Sequence, residues 1–240
     1  MMSKNALLAV LEAHGFNNSI IKAFKAIPRK IFIPIGERKY AYEDVPLPLV
    51  NGATISQPST IAFMLKLLEL EDEQNVLEID SGSGYVLALI SEISKKSRIY
   101  GLEIIKELVD LSQKILIRYQ NISIIHKDGS KGLPEKALFD RILVSAASDK
   151  IPIHLYSQLK KDGIIFVPMQ HSIFQIKKTG EYVEKKNFLD LYLCLLPKTL
   201  LLYRIYPLTK SRTWVFRVLP CLHPNTSCHV SSYFLVENPR

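Results

Sequence analysis

The residues best placed to do chemistry fall in VLEIDSGSGYV, Val76 to Val86. Gly82 and Gly84 sit between an apolar strand-like run and the start of a helical pattern. Glycines there let the backbone turn sharply and bring its amides close to a ligand. Glu103 ends the next apolar run, about twenty residues on, the spacing at which a carboxylate grips ribose hydroxyls. A ribose-bearing cofactor is the chemistry this pattern suits. A dinucleotide fingerprint would carry a further glycine three residues after Gly84, but Leu87 stands there, which weighs against NAD. Asp80 occupies the first loop position, where a third glycine is usual. Aspartate tolerates left-handed backbone better than most residues, so the turn can survive it.

These residues need a scaffold that sets strand ends side by side. From Asn75 the chain alternates: NVLEI, RIYGLEI, ISIIHK, DRILVSAA and GIIFVPM read as strands. YVLALISEISKK, KELVDLSQKILIRY and IHLYSQLKK read as helices. Such a βαβα succession predicts an α/β fold: a Rossmann-like, doubly wound, largely parallel sheet with helices on both faces. Ligands then sit beyond the carboxyl ends of the strands, where the winding direction switches. Ahead of the sheet, apolar spacing at Leu7, Leu8 and Leu11 and at Ile20, Ile21 and Phe24 predicts an N-terminal helical segment. PLPLVNGATISQP reads as a loop, and STIAFMLKLLELEDE as a helix with Ser59 at its N-cap. SIFQIKKTGEYVEKK has the pattern of a hairpin.

In order and spacing, IPRKIFIP, YAYEDVPLPLVNGATISQP, VLEIDSGSGY, GLEI, KDGSKG, FDRILVSAA and IPIHLYSQLKKDGIIFVPM resemble the protein-L-isoaspartate O-methyltransferase family, within the class I S-adenosylmethionine-dependent methyltransferases. The match covers about residues 5 to 197, and ATISQP is its most specific piece. The resemblance implies S-adenosyl-L-methionine as cofactor and proteins bearing isoaspartyl residues as substrates. It assigns Ser56 as the active-site serine, with Thr54, Ile55 and Gln57 lining the substrate side. Glu78, Asp80, Ser81, Gly82, Ser83 and Gly84 form the cofactor loop, Glu103 holds the ribose, and Asp128 and Gly129 lie beside the adenine. The implied reaction esterifies the α-carboxyl of an isoaspartyl residue, a nucleophile already ionised at neutral pH. A hydroxyl and no Ser-His-Asp set suits that chemistry, which needs alignment more than a strong base.

The chain departs from the family at several glycines: Val50, Asp80, Lys127, Asp162 and Gln170 stand in their places. Asp80 would repel the cofactor's carboxylate or attract its ammonium. Facing the carboxylate it would cost about 1–3 kcal/mol. A degenerate, non-catalytic binding module of this fold is therefore the second reading. A class I methyltransferase acting on RNA is the third, motivated by the net charge of +8. SAASDKIP at the end of the fourth strand lacks the Asn-Pro-Pro-aromatic segment of many amino-group methyltransferases, which argues against RNA.

The resemblance and the pattern together divide the chain into a methyltransferase domain at 1–198 and a divergent basic tail of unassigned role at 199–240. Within the domain lie a helical segment (1–45), an active-site loop (46–58), a cofactor-binding core (59–170) and β additions (171–198). The three cysteines, all beyond residue 190, argue against a disulfide framework and for a reducing, cytoplasmic compartment. His and Cys spacing gives no metal site, and CLHPNTSCH at 221–229 is not read as one. Pro197, Lys198 and Arg204 break the Leu-rich run too early for a membrane span. A monomer without nucleic-acid or membrane partners is the expectation.

Overall fold

The computed structural model describes residues 1–146, 153–169, 172–180 and 182–188. Two capped helices open the chain. α1 (Lys4–Ala13) starts where Ser3 Oγ accepts from the Ala6 amide, and α2 (Asn18–Ala26) where Asn17 Oδ1 accepts from that of Ile20. A two-residue antiparallel pair follows, β1 (Leu47–Pro48) with β2 (Thr54–Ile55), then α3 (Pro58–Leu67). The alternating part holds β3 (Asn75–Ile79), α4 (Tyr85–Ile93), β4 (Arg98–Glu103), α5 (Lys106–Ile115), β5 (Ile122–His126) and β6 (Phe139–Val144). β7 (Leu159–Met169), β8 (Ser172–Thr179) and β9 (Tyr182–Asn187) complete it.

The main sheet has seven strands in the order β5-β4-β3-β6-β7-β8-β9. The first five pair in parallel, and β8 and β9 add antiparallel. From β3 the chain winds outward through β4 to β5, then returns to lay β6 on the other side of β3. The winding therefore reverses between β3 and β6, and the crevice beyond their carboxyl ends is where such a sheet binds ligands.

Alternate strand residues divide the core in two. Val76, Ile99, Leu143 and Phe166 pack under α1 to α4, with Leu116 from the end of α5. Leu77, Ile79, Leu102, Ile142, Val144, Ile165 and Val167 face the other way, onto Leu133 at the start of one short 3-10 helix and Leu155 within another. α4 is buried on all sides from Tyr85 to Ser91, which explains why its sequence is apolar throughout. Tyr85 stacks edge-on against Phe24 of α2 and tilts against Phe32.

Three local readings of the sequence are corrected. The N-cap of α3 is Gln57, not Ser59, because Pro58, with its preset φ and no amide of its own to satisfy, supplies the first helical residue. Ser59 lies inside the first turn, where its amide donates to Asp44 Oδ1 at 2.8 Å. The 46–58 loop contains the β1–β2 pair, closed by Asn51 and Gly52 at φ 53° and 78°. IHLYSQLKK is a 3-10 helix at Ile153–Gln158 that runs into β7, not an α-helix. The register from β6 to β7 jumps there: Phe139 pairs with Leu159, Arg141 with Ile164, and Asp162 takes φ 62° within the bulge. The expected hairpin is present as β8 and β9. The basic tail and CLHPNTSCH lie outside the described residues.

Candidate functional site

β3 ends at Ile79, and the chain turns at once. Asp80, Gly82 and Gly84 take φ 64°, 55° and 82°, all in the left-handed region. Asp80 thus adopts the backbone for which glycine is the ordinary choice. The turn is closed by Gly84 N–H donating to Ser81 O at 2.9 Å, and Ser81 N–H donates across to Leu102 O at 3.0 Å. Gly84 caps α4, and a Cβ there would stand 2.7 Å from Leu116 Cδ1.

Two buried carboxylates flank this loop, each 1% exposed. Glu103 accepts from Gly82 N–H through Oε2 and from Ile105 N–H through Oε1, both at 2.8 Å. Glu78 Oε1 accepts from Ser145 Oγ at 2.7 Å, across from β6. Burial pushes the Glu78 carboxyl well above the ordinary range; the Ser145 bond opposes this, and the nearby Asp80 and Glu103 charges add to it. Asp80 is exposed on its outer side. Lost solvation against the loop, and then the Glu103 carboxylate, raise its pKa.

A cavity of about 320 Å³ opens at the switch point between β3 and β6. One wall is the loop from Asp80 through Ser81, Gly82 and Ser83, with Glu78 at its base. The facing wall is the strap carrying Thr54, Ile55 and Ser56. Ser145 and Ala146 close one end, and Met64 of α3 lies beneath. Two buried polar atoms of the wall, Glu78 Oε2 and Ser81 Oγ, have no hydrogen-bond partner among the described residues. Glu78 Oε2 is left as an acceptor at the base of the cavity, while Ser81 Oγ packs against Gly101 of β4.

The structure therefore gathers Thr54, Ile55, Ser56, Glu78, Asp80, Ser81, Gly82 and Ser83 into one cavity, with Gly84 buried behind it. Gln57 lies outside the wall and donates from Nε2 to Ser59 Oγ at 2.7 Å. Glu103, Asp128 and Gly129 also lie outside it, at the ends of the neighbouring strands. Glu103 O accepts from Lys127 N–H at 3.0 Å, which sets the Asp128 turn beside β4. Asp128 Oδ1 accepts from Ser130 N–H at 2.8 Å, and that bond lowers its pKa. A Cβ on Gly129 would fall 2.4 Å from Ile79 Cγ2, so this turn packs directly on the end of β3. His126 is structural, its Nε2 2.9 Å from Ile104 O.

Sequence reasoning gave no role to Arg29 or Ser145. Arg29 is 0% exposed. Its Nη1 donates to Ala41 O at 3.0 Å and Glu43 O at 3.3 Å, and its Nη2 to Val45 O at 3.1 Å and Ser56 O at 3.0 Å. One guanidinium thus gathers the whole strap and fixes the backbone of Ser56. Burial lowers its pKa to about 10, partly offset by Tyr85 and Asp44. The signal in the sequence was an arginine set in an apolar run between two prolines, IPRKIFIP. Among the described residues, no group of His, Cys, Asp and Glu could hold a metal ion, and no helix is long and apolar enough to cross a membrane.

The strand order, the glycine loop after the central strand and the acid at the end of the next define the doubly wound fold of the class I methyltransferases. Within that class, the chain belongs to the family described as Protein-L-isoaspartate(D-aspartate) O-methyltransferase (PCMT), which it matches over residues 2–196. It is 40% identical over 166 residues to a protein-L-isoaspartate O-methyltransferase of Methanococcoides burtonii, covering 68% of this chain and 82% of that one. Among solved structures it is similar to a protein-L-isoaspartate O-methyltransferase, with TM-score 0.70 and 28% identity over 78% of this chain; it spans 63% of that one. It is also similar to a putative enzyme of that name from Plasmodium falciparum in complex with S-adenosyl-L-homocysteine. The TM-score there is 0.69 and the identity 25%, over 78% of this chain and 95% of that one.

Proposed function

We propose that this chain is a protein repair methyltransferase, moving a methyl group from S-adenosylmethionine to the free carboxyl of damaged residues, the α-carboxyl of L-isoaspartyl and the side-chain carboxyl of D-aspartyl. The observation that carries the reading is the cavity shared by the glycine loop and the Thr54–Ile55–Ser56 strap. S-adenosylmethionine, when bound, supplies an electrophilic methyl on a sulfonium centre. The wall suits it: the backbone of Gly82, the unpartnered Glu78 Oε2, and the flanking Asp80 and Ser83. Glu103, Asp128 and Gly129 complete the cofactor side at the adjoining strand ends.

The substrate carboxylate is ionised at neutral pH, so the protein's work is alignment and exclusion of water. Ser56 donates its hydroxyl hydrogen to one carboxylate oxygen and leaves the other to attack. Thr54 and Ile55 lie on the substrate side, and Leu49, Ile55 and Met64 keep the reacting atoms dry. The methyl ester carries methoxide as a leaving group, where the carboxylate would have to expel oxide. The next backbone amide nitrogen closes onto the ester, methanol leaves, and the succinimide reopens in part to normal aspartate.

Residues 1–198 form the catalytic domain in this reading, working as a monomer on soluble proteins in the cytoplasm. The left-handed backbone of Asp80 supports a working loop over a degenerate one. Among the described residues the cavity wall carries no Lys, Arg or His, which gives an RNA substrate no support. The test is methanol release from an aged, isoaspartate-rich protein incubated with S-adenosylmethionine and the full chain. Release above that from freshly prepared protein is expected, and equal release from both would overturn the reading.

A further inference from the structure

The cavity carries a charge opposite to that of the chain. The protein has a formal net charge of +8. Yet among the described residues its cavity wall holds two carboxylates, Glu78 and Asp80, and no basic side chain. Glu103 stands directly behind, bonded to the Gly82 amide of the same wall. The three acids are not equivalent. Glu78 is buried and held by Ser145, and Glu103 has both oxygens on backbone amides. Asp80 is the one that is exposed. A second observation marks the base of the wall as polar: Glu78 Oε2 is buried there without a partner among the described residues, in a residue 1% exposed.

Resting on the function proposed above, we infer that Asp80 makes this cavity discriminate its ligand by net charge, favouring the sulfonium form of the cofactor over the thioether left after transfer. In the reaction the methyl C–S bond breaks and its electron pair stays on sulfur, while a carboxylate oxygen forms the new C–O bond. The sulfonium and the carboxylate are neutralised together. The cofactor therefore loses one positive charge within the cavity at each turnover. A fixed carboxylate in the wall attracts the reactant form and gains nothing from the product form. Asp80 thus lowers affinity for the product relative to the reactant and eases product release. A glycine at this position supplies the same turn without the charge.

The experiment is calorimetric titration of the full chain with S-adenosylmethionine and, separately, with S-adenosylhomocysteine, beside Asp80→Asn and Asp80→Gly. Asparagine and glycine both accept the left-handed backbone, so the loop is retained in each variant. The preference for S-adenosylmethionine over S-adenosylhomocysteine should fall about threefold to tenfold in both variants, most clearly at low salt. An unchanged preference, or equal weakening of both ligands, would overturn the charge role and leave Asp80 a backbone role alone. Failure of the native chain and both variants to bind either ligand would overturn the proposed function itself, and this inference with it.

Discussion

Glu103 Oε2 accepts the amide hydrogen of Gly82 at 2.8 Å, so the last residue of β4 holds the loop that follows β3. This bond gives the acid a structural role beside the cofactor contact proposed for it. The same carboxylate also caps the start of α5 through Ile105 N–H. Two strand ends, the glycine loop and a helix start meet at one side chain. Glu103→Gln keeps an acceptor for only one of the two amides. Charge-assisted bonds of this kind contribute about 1.5–3 kcal/mol each. The variant should lose a similar amount of stability in urea unfolding, and S-adenosylhomocysteine affinity should fall by about tenfold or more.

Arg29 acts on the other wall. Arg29→Met leaves four carbonyls of the strap without their donor and should destabilise the protein by about 3–5 kcal/mol. Arg29→Lys keeps the charge but not the planar fork. It should fold, bind S-adenosylhomocysteine within about threefold of the native chain, and lose about tenfold in kcat/KM, because Ser56 is displaced while the glycine loop is not. Parallel titration and methylation kinetics separate the two effects.

Glu78 gives a pH-dependent prediction. Its folded pKa lies above the unfolded value, so the folded state binds more protons between the two, and stability falls as pH rises through that window. Glu78→Gln removes the ionisation. It should be more stable than the native chain by about 1–3 kcal/mol near pH 7.5, with the difference vanishing near pH 4. Urea unfolding at several pH values measures this. An equal difference at every pH would assign the effect to packing.

Gly84 tests the loop backbone. Gly84→Ala meets both the left-handed φ of 82° and the 2.7 Å approach of Leu116 Cδ1. A loss of about 1–3 kcal/mol in stability is expected, with weaker cofactor binding.

The β3–α4–β4–α5–β5 alternation was legible because each element has its own apolar period and each boundary a turn residue. The site on β3 was legible for the same reason: two glycines after a buried strand have few other uses. The strap was harder. Ser56 stood out by resemblance, but what holds it in place, Arg29, lies 27 residues away in sequence, and no local pattern connects them. The helix expected at IHLYSQLKK failed because its apolar spacing fits a helix while Asp162 and the β6–β7 bulge draw its end into the sheet. The Ser59 cap failed because Pro58 moved the helix start two residues earlier. Asp80 was read as a departure whose backbone and charge could be separated, and the backbone half is now visible at φ 64°.

The most direct measurement compares two peptides identical except for one residue, isoaspartyl in one and normal aspartyl in the other. Each is incubated with S-adenosylmethionine and either the native chain or Ser56→Ala, and methyl ester formation is followed. Methylation of the isoaspartyl peptide alone, lost about tenfold or more in Ser56→Ala, is the predicted result. Equal methylation of both peptides, or of neither by a native chain that binds S-adenosylhomocysteine, would contradict the account.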